Sequence, residues 1–304
     1  MSTSEHGAKG LLAVLMGATV LGFAALLVKW AGQGGASDVT IGFYRMLMAL
    51  PGAFVLAQRS GGVRASRAGI LWACGAGAAF FSDLWLWHLA MHHTGAANAT
   101  LLVGGLSPLW VALFAVIVLR HRLGPIGWLG QAIGFSGAVT LAIGRGAQLG
   151  LGRGELIAVV ASFFYASFTL CLTQARLKLQ APQALFWTIA SCLGCFLVAV
   201  LLRGDALGGF TPQAWGSLVA LGLVIQLFAW WFNTWGLGHV APAVGAIALQ
   251  MQQVATLLLA WVLLGEAQRP LALVGAAGIF AGILLVAWAR ASTLRTVDEP
   301  PAEA

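Results

Sequence analysis

The chain has 304 residues, of which 60% are hydrophobic and only 8% charged, too few charges to cover a water-soluble globule, which carries about 25%. Its formal charge of +7 is spread singly over the ends of apolar blocks, a pattern that suits lipid headgroups and not a nucleic-acid surface. Blocks of about 20 apolar residues predict an all-α, polytopic integral membrane protein with no loop long enough to fold as a soluble catalytic domain.

Ten spans are predicted in chain order, at 9–31, 39–58, 68–91, 95–119, 125–145, 153–174, 182–203, 212–237, 240–264 and 270–290. The first block is of full span length and lacks an A-x-A cleavage pattern, so it reads as a span and not a cleavable signal peptide. Pro125, Pro182, Pro212 and Pro270 stand at block starts, where a missing N–H costs a helix nothing. Pro51 and Pro108 lie inside blocks and predict kinks. Cys74, Cys171, Cys192 and Cys195 all fall within apolar blocks and read as small buried hydrophobes. The polar, proline-bearing tail 291–304 predicts disorder.

Orientation follows from the Lys and Arg count. With the N-terminus inside, ten fall on inner segments and five on outer ones, leaving Arg45 within a span. That places both termini in the cytoplasm, in the inner (plasma) membrane.

A shift of 145 residues lays Leu119-Arg-His-Arg-Leu-Gly-Pro125 on Leu264-Gly-Glu-Ala-Gln-Arg-Pro270. It also pairs Ala96 with Ala241, Gly130 with Gly275, Phe135 with Phe280 and Gly137 with Gly282. Two five-span units follow, 1–147 and 148–290. An odd number of spans per unit forces the second copy to insert with opposite orientation, as in secondary transporters with a site near the midplane.

The segment His239–Trp288, containing "APAVGAIALQMQQVATLLLAWVLLGEAQRPLALVGAAGIFAGILLVAW", resembles the end of an EamA domain of the drug/metabolite transporter superfamily. "GFYRMLMALPG" (Gly42–Gly52) and "GAANATLLVGGLSPLWVALFAVIVL" (Gly95–Leu119) resemble that family's second and fourth helices. The abundance of aromatic residues is similar to that of bacterial aromatic amino acid exporters of the YddG type. The resemblance covers nearly the whole chain and implies ten helices, a small-molecule substrate and export. It also places a family glutamate at Glu266, where the first half has His121, a departure that leaves the first-half loop to be held differently.

Asp83 is the sharpest candidate. A carboxylate well inside a span costs about 2.5–3.5 kcal/mol unless paired or hydrated. By helical rise, Asp83 and Arg45 both lie roughly 9–13 Å deep. Two readings stay open: an ion pair joining spans two and three, or an Asp83 that faces a cavity and holds a substrate ammonium or a proton. His88 follows on the same helix as a protonatable neighbour; its i,i+4 spacing to His92 could hold a metal, but no third ligand is nearby. Phe80, Asp83 and Trp87 share one face of span three; Gln226, Trp230 and Asn233 share one face of span eight. Such faces suit an aromatic amphiphile, with helix packing as the alternative. Tyr165, Ser167, Thr169, Thr173 and Gln174 on span six, and Gln250, Gln252 and Gln253 on span nine, would bind a zwitterion's head or hydrogen-bond neighbouring helices. Gly130/Gly134 and Gly278/Gly282 predict close helix packing within the fold or at a dimer contact.

The expected function is secondary transport of small amphipathic metabolites, first among them aromatic or other hydrophobic amino acids, by alternating access around a cavity lined by spans three, four, six, eight and nine. No residue pattern calls for a cofactor. Export of drugs or other metabolites is the alternative on the same fold. A membrane enzyme would need a clustered catalytic set, whereas Asp83 and the span-bordering Glu155 stand far apart in sequence. A lipid-embedded scaffold would not need polar aromatic faces.

Overall fold

The computed structural model describes residues 3–94, 96–117, 124–144, 152–264 and 269–298. Span one is α1 (Thr3–Leu21) followed by α2 (Ala24–Gln33), and the first half continues with α3 (Asp38–Arg59), α4 (Arg67–Thr94), α5 (Ala96–Ile117) and α6 (Pro125–Gly144). The second half holds α7 (Arg153–Arg176) and α8 (Ala181–Arg203). Span eight is α9 (Pro212–Ala220), a π-helical stretch (Leu221–Ala229) and α10 (Trp230–Leu237). Span nine is α11 (Pro242–Ala248) and α12 (Met251–Leu264), and α13 (Pro270–Asp298) is span ten. Among the described residues nine stretches are long and apolar enough to cross a membrane, and the fourth span carries the shorter apolar run Leu102–Phe114. The protein is therefore a multi-pass membrane protein. Helices are the solution because the backbone's polar groups find no water inside a bilayer.

The predicted starts rest on local chemistry. Pro125, Pro212 and Pro270 open α6, α9 and α13, and Pro182 is the second residue of α8. Ser37 and Thr211 cap α3 and α9, accepting from the backbone N–H of Thr40 at 3.2 Å and of Ala214 at 3.3 Å. The helix of span ten runs on to Asp298, through residues 291–298 that were expected to be disordered. Ala, Arg and Leu in that stretch favour helix, and Pro300 disfavours helical backbone just before it.

Helix packing follows the repeat. Spans two and seven pack on each other (α3 on α8), as do spans five and ten (α6 on α13). The remaining large contacts come in pairs that exchange when each span is replaced by its counterpart five spans away. Span three packs on span six, and span eight on span one; span four packs on span six, and span nine on span one. The shift of 145 residues is visible atom by atom at the α6–α13 contact. A Cβ on Gly130 would stand 3.2 Å from the Gly282 carbonyl and against Val286, while a Cβ on Gly275 would stand 2.6 Å from the Gly137 carbonyl and against Leu141. Gly130 and Gly275, Gly137 and Gly282, Leu141 and Val286 are counterparts under that shift. The glycine pairs therefore serve packing within the fold. Glu266 and His121 lie outside the described residues.

Kinks were predicted at Pro51 and Pro108, and both residues sit inside the continuous helices α3 and α5. Helix breaks fall elsewhere, at Gly22–Phe23, between α1 and α2, and at Leu249–Gln250, between α11 and α12. At both, the chain tightens into i→i−3 hydrogen bonds, such as Gly22 N to Thr19 O (3.1 Å) and Gln250 N to Ile247 O (3.0 Å). A proline can be absorbed where neighbouring groups take up the freed carbonyl; here the gaps open beside the central cavity.

Candidate substrate cavity

A cavity of about 390 Å³ lies between the halves, within the range of about 300–1,000 Å³ usual for small-molecule sites. Spans two and three supply Arg45, Phe80, Asp83, Leu84 and Trp87. Span six supplies Tyr165, span eight Trp230, and span nine Leu249, Gln250, Gln252, Gln253 and Thr256. Span four contributes Val103, Gly104 and Ser107. Spans one, two and five were not expected in the wall, yet Leu21, Ala24, Ala25 and Val28, Arg45, and Leu141 and Ala142 line it.

Six of the eight candidate binding residues thus come together in one wall: Phe80, Asp83, Trp87, Tyr165, Trp230 and Gln250. Gln226 and Asn233 do not line it. Gln226 lies in the π-helical stretch, whose wider turn breaks the i,i+4 register assumed from sequence, and it accepts from Arg45 Nε at 2.8 Å. Asn233 is fully buried against α1, where a Cβ on Gly17 would touch its carboxamide. His88 is buried next to Trp87 but outside the cavity-lining set. The side chain of His92 lies outside the described residues. On span six, Thr169 and Thr173 return their hydroxyls to the carbonyls one turn back, Tyr165 and Thr169.

Arg45 and Asp83 share the cavity wall without closing into an ion pair, unlike Arg203 and Asp205 at the end of α8, which do. The guanidinium is held instead by Gln226 and by the Phe80 ring, with Cζ 5.6 Å from the ring centroid, a cation–π distance. Asp83 is 3% exposed and its Oδ1 has no hydrogen-bond partner. Gln250 Oε1, Gln253 Nε2 and Trp230 Nε1 are likewise buried without partners. Leaving such groups unmade costs about 1–3 kcal/mol each, so the wall is built of donors and acceptors whose needs the protein itself does not meet.

Aromatic rings frame the apolar part. Phe80 stacks on Phe168 with centroids 4.6 Å apart, and Trp230 meets both edge-on at 5.5 and 4.9 Å. Gly104 lacks the Cβ that would strike the Gln253 carboxamide, which lets that side chain lie across span four. Glu155 stands elsewhere and caps α7, accepting from Gly152 N at 2.9 Å and from the Thr94 hydroxyl.

Comparison with known proteins agrees with this architecture. The EamA-like transporter family matches residues 8–143 and 152–288, one copy per half. "Uncharacterized transporter YwfM" of Bacillus subtilis (strain 168) is 26% identical over 203 residues, 66% of this chain and 68% of that protein. The "Probable terminal-alkyne amino-acid exporter" of Streptantibioticus cattleyicolor is 29% identical over 198 residues, 64% of this chain and 65% of that protein. A solved crystal structure superposes with a TM-score of 0.75 at 20% identity, covering 94% of this chain and 99% of its own, a likeness of fold.

Proposed function

The chain belongs to the EamA-like transporter family, and from that premise we propose that it exports small amphipathic metabolites, first among them aromatic and other hydrophobic amino acids. The observation that carries this reading is the unpaired coexistence of Asp83 and Arg45 in one buried cavity. An α-amino acid brings the complementary pair: its ammonium meets the Asp83 carboxylate and its carboxylate meets the Arg45 guanidinium. Gln250 and Gln253 then supply the remaining polar contacts, and the side chain lies among Phe80, Trp87 and Trp230. A buried carboxylate and a buried guanidinium that are not paired with each other are costly, and a zwitterion meets both at once. The relative from Streptantibioticus cattleyicolor, named a probable terminal-alkyne amino-acid exporter, supports the same class.

Alternating access would proceed by one bundle rocking against the other around this site, with the breaks in spans one and nine letting half-helices move beside it. The ten-to-five distribution of Lys and Arg supports an orientation in the plasma membrane with both termini in the cytoplasm; a reporter fused after Ala304 that is active outside would overturn it.

The test is counterflow of labelled amino acids in proteoliposomes, wild type beside Asp83→Asn. Wild-type flux competed by phenylalanine, tryptophan or leucine, and lost in a folded Asp83→Asn protein, is the expected result. Flux of other compounds but no amino acid would sink the substrate class, and undiminished flux in Asp83→Asn would remove the carboxylate from the site.

A further inference from the structure

A second cavity, of about 680 Å³, lies among the span ends and loops at one end of the bundle and shares no lining residue with the first. Three segments wall it: the loop before α4 (Arg64, Ala65, Ser66), the α7–α8 connection from Arg176 to Gln183, and Trp231, Trp235 and His239 of span eight and the turn after it. Arg64, Arg176, Lys178 and His239 line it, and no carboxylate does. The start of α8, a helix of 23 residues, opens from the same wall and adds the partial positive charge of its first turn.

The cations are of two kinds. Arg176 is fixed: its Nε donates to the Thr234 carbonyl at 2.9 Å, a second donor reaches the Leu179 carbonyl, and the guanidinium lies where a Cβ on Gly238 would otherwise stand. His239 is oriented as well, its Nδ1 donating to the Trp235 carbonyl at 2.8 Å and its ring tilted over the Trp235 indole at 4.3 Å. Arg64 and Lys178 are exposed, and among the described residues neither is paired with a carboxylate. A pocket with hydrogen-bonded cations at its floor and exposed, unpaired cations at its rim is organised for an anion. Half-buried indoles at the end of a span belong to the headgroup layer, so the anion sits at the level of lipid phosphate.

We propose that this pocket binds a phosphate group, with Lys178 and Arg64 closing over it against Arg176 and the start of α8. The source is either an anionic phospholipid headgroup or free inorganic phosphate. Because Arg64 belongs to the first half and Lys178 to the second, an occupant bridges the two repeats at this end.

The test is thermal melting of the full protein in zwitterionic detergent, titrated with phosphatidylglycerol, phosphatidylcholine or inorganic phosphate. A saturable rise in melting temperature with phosphatidylglycerol and not phosphatidylcholine assigns the site to lipid; the same rise with inorganic phosphate alone assigns it to the free anion. The Arg64→Gln/Lys178→Gln variant should lose roughly thirtyfold in apparent affinity, taking about 1 kcal/mol per basic residue. Both side chains are exposed and hold no structural bond, so the variant's melting point without additive should match wild type. A control, Lys29→Gln/Arg153→Gln, removes equal charge at the opposite end and should keep the wild-type response. No response to either phosphate source, or a response that survives in the pocket variant or vanishes in the control, overturns the proposal.

Discussion

Arg45 and Gln226 are joined side chain to side chain, Nε donating to Oε1 at 2.8 Å, although 181 residues separate them in the chain. One belongs to span two of the first half, the other to the π-helical stretch of span eight. The helices approach closely because Gly222 has no side chain, its missing Cβ facing Met48 and the Arg45 carbonyl. A π-helical turn is uncommon and recurs at functional sites; here it carries the amide that holds the cavity's guanidinium in place.

Gln226→Leu should therefore disable transport without touching the cavity wall itself. A hydrogen bond to a charged group contributes about 1.5–3 kcal/mol, and an Arg45 released from it loses its aim. The expected outcome is a lower melting temperature and at least about a tenfold loss of flux per folded protein. Gln226→Glu keeps the acceptor and adds a charge, so it should preserve the fold while tying Arg45 away from substrate. Normal flux in both variants would show that the bond is not a positioning device.

Trp230 separates packing from recognition. It is 2% exposed, lies against Phe80 and Phe168, lines the cavity, and its Nε1 has no hydrogen-bond partner. Trp230→Phe should keep the ring contacts and leave melting nearly unchanged, yet raise KM if the indole N–H serves the substrate. Trp230→Ala should destabilise by about 3–5 kcal/mol. A Phe variant with wild-type KM would make Trp230 a packing residue only.

The sequence was most readable where one physical requirement dominates. Bilayer thickness and the block-starting prolines placed the spans within a few residues, and the 145-residue shift identified partners such as Gly130 and Gly275 that the structure sets in matching contacts. Asp83 and Arg45 were legible because a charge within a span is conspicuous. The rest was not, for local reasons. Gln226 was assigned to the cavity face by α-helical spacing, which the π-helical turn changes. The breaks at Gly22 and Leu249 depend on contacts between distant spans, while the prolines that attract attention, Pro51 and Pro108, are absorbed. The span-one wall of Leu21, Ala24, Ala25 and Val28 is purely apolar and has no signature that separates it from a lipid-facing stripe.

The α6–α13 contact yields a stability prediction of known sign. A Cβ on Gly282 would stand 2.6 Å from Gly134 Cα, and one on Gly278 2.9 Å from Gly137 Cα, so backbone, not a movable side chain, is in the way. Gly282→Leu should force the helices apart, at a cost of about 1–3 kcal/mol or more, and lower the melting temperature. Gly194 on α8 has open space at its Cβ and Gly194→Leu is the control, expected to be neutral. Equal melting of the two variants would deny the tight contact.

Thr256 tests whether the breaks in spans one and nine work together. Its hydroxyl lies 3.1 Å from the Gly22 carbonyl, which the first break leaves without its usual helical partner, and 2.9 Å from the Gln252 carbonyl in its own helix. Gly22 in turn packs on span nine, where its missing Cβ would meet Ala255. The discontinuity of one half is thus tied to that of the other beside the substrate cavity, whose wall includes Thr256 itself. Thr256→Val keeps the shape and removes the tie, leaving a buried carbonyl unmet at a cost of about 1–3 kcal/mol. If the two half-helices move as a coupled pair, counterflow should slow by more than equilibrium substrate binding weakens, and Thr256→Ser should restore both. A Val variant with reduced stability but unchanged counterflow would mean that the tie only holds the fold, and that the breaks in the two spans open independently.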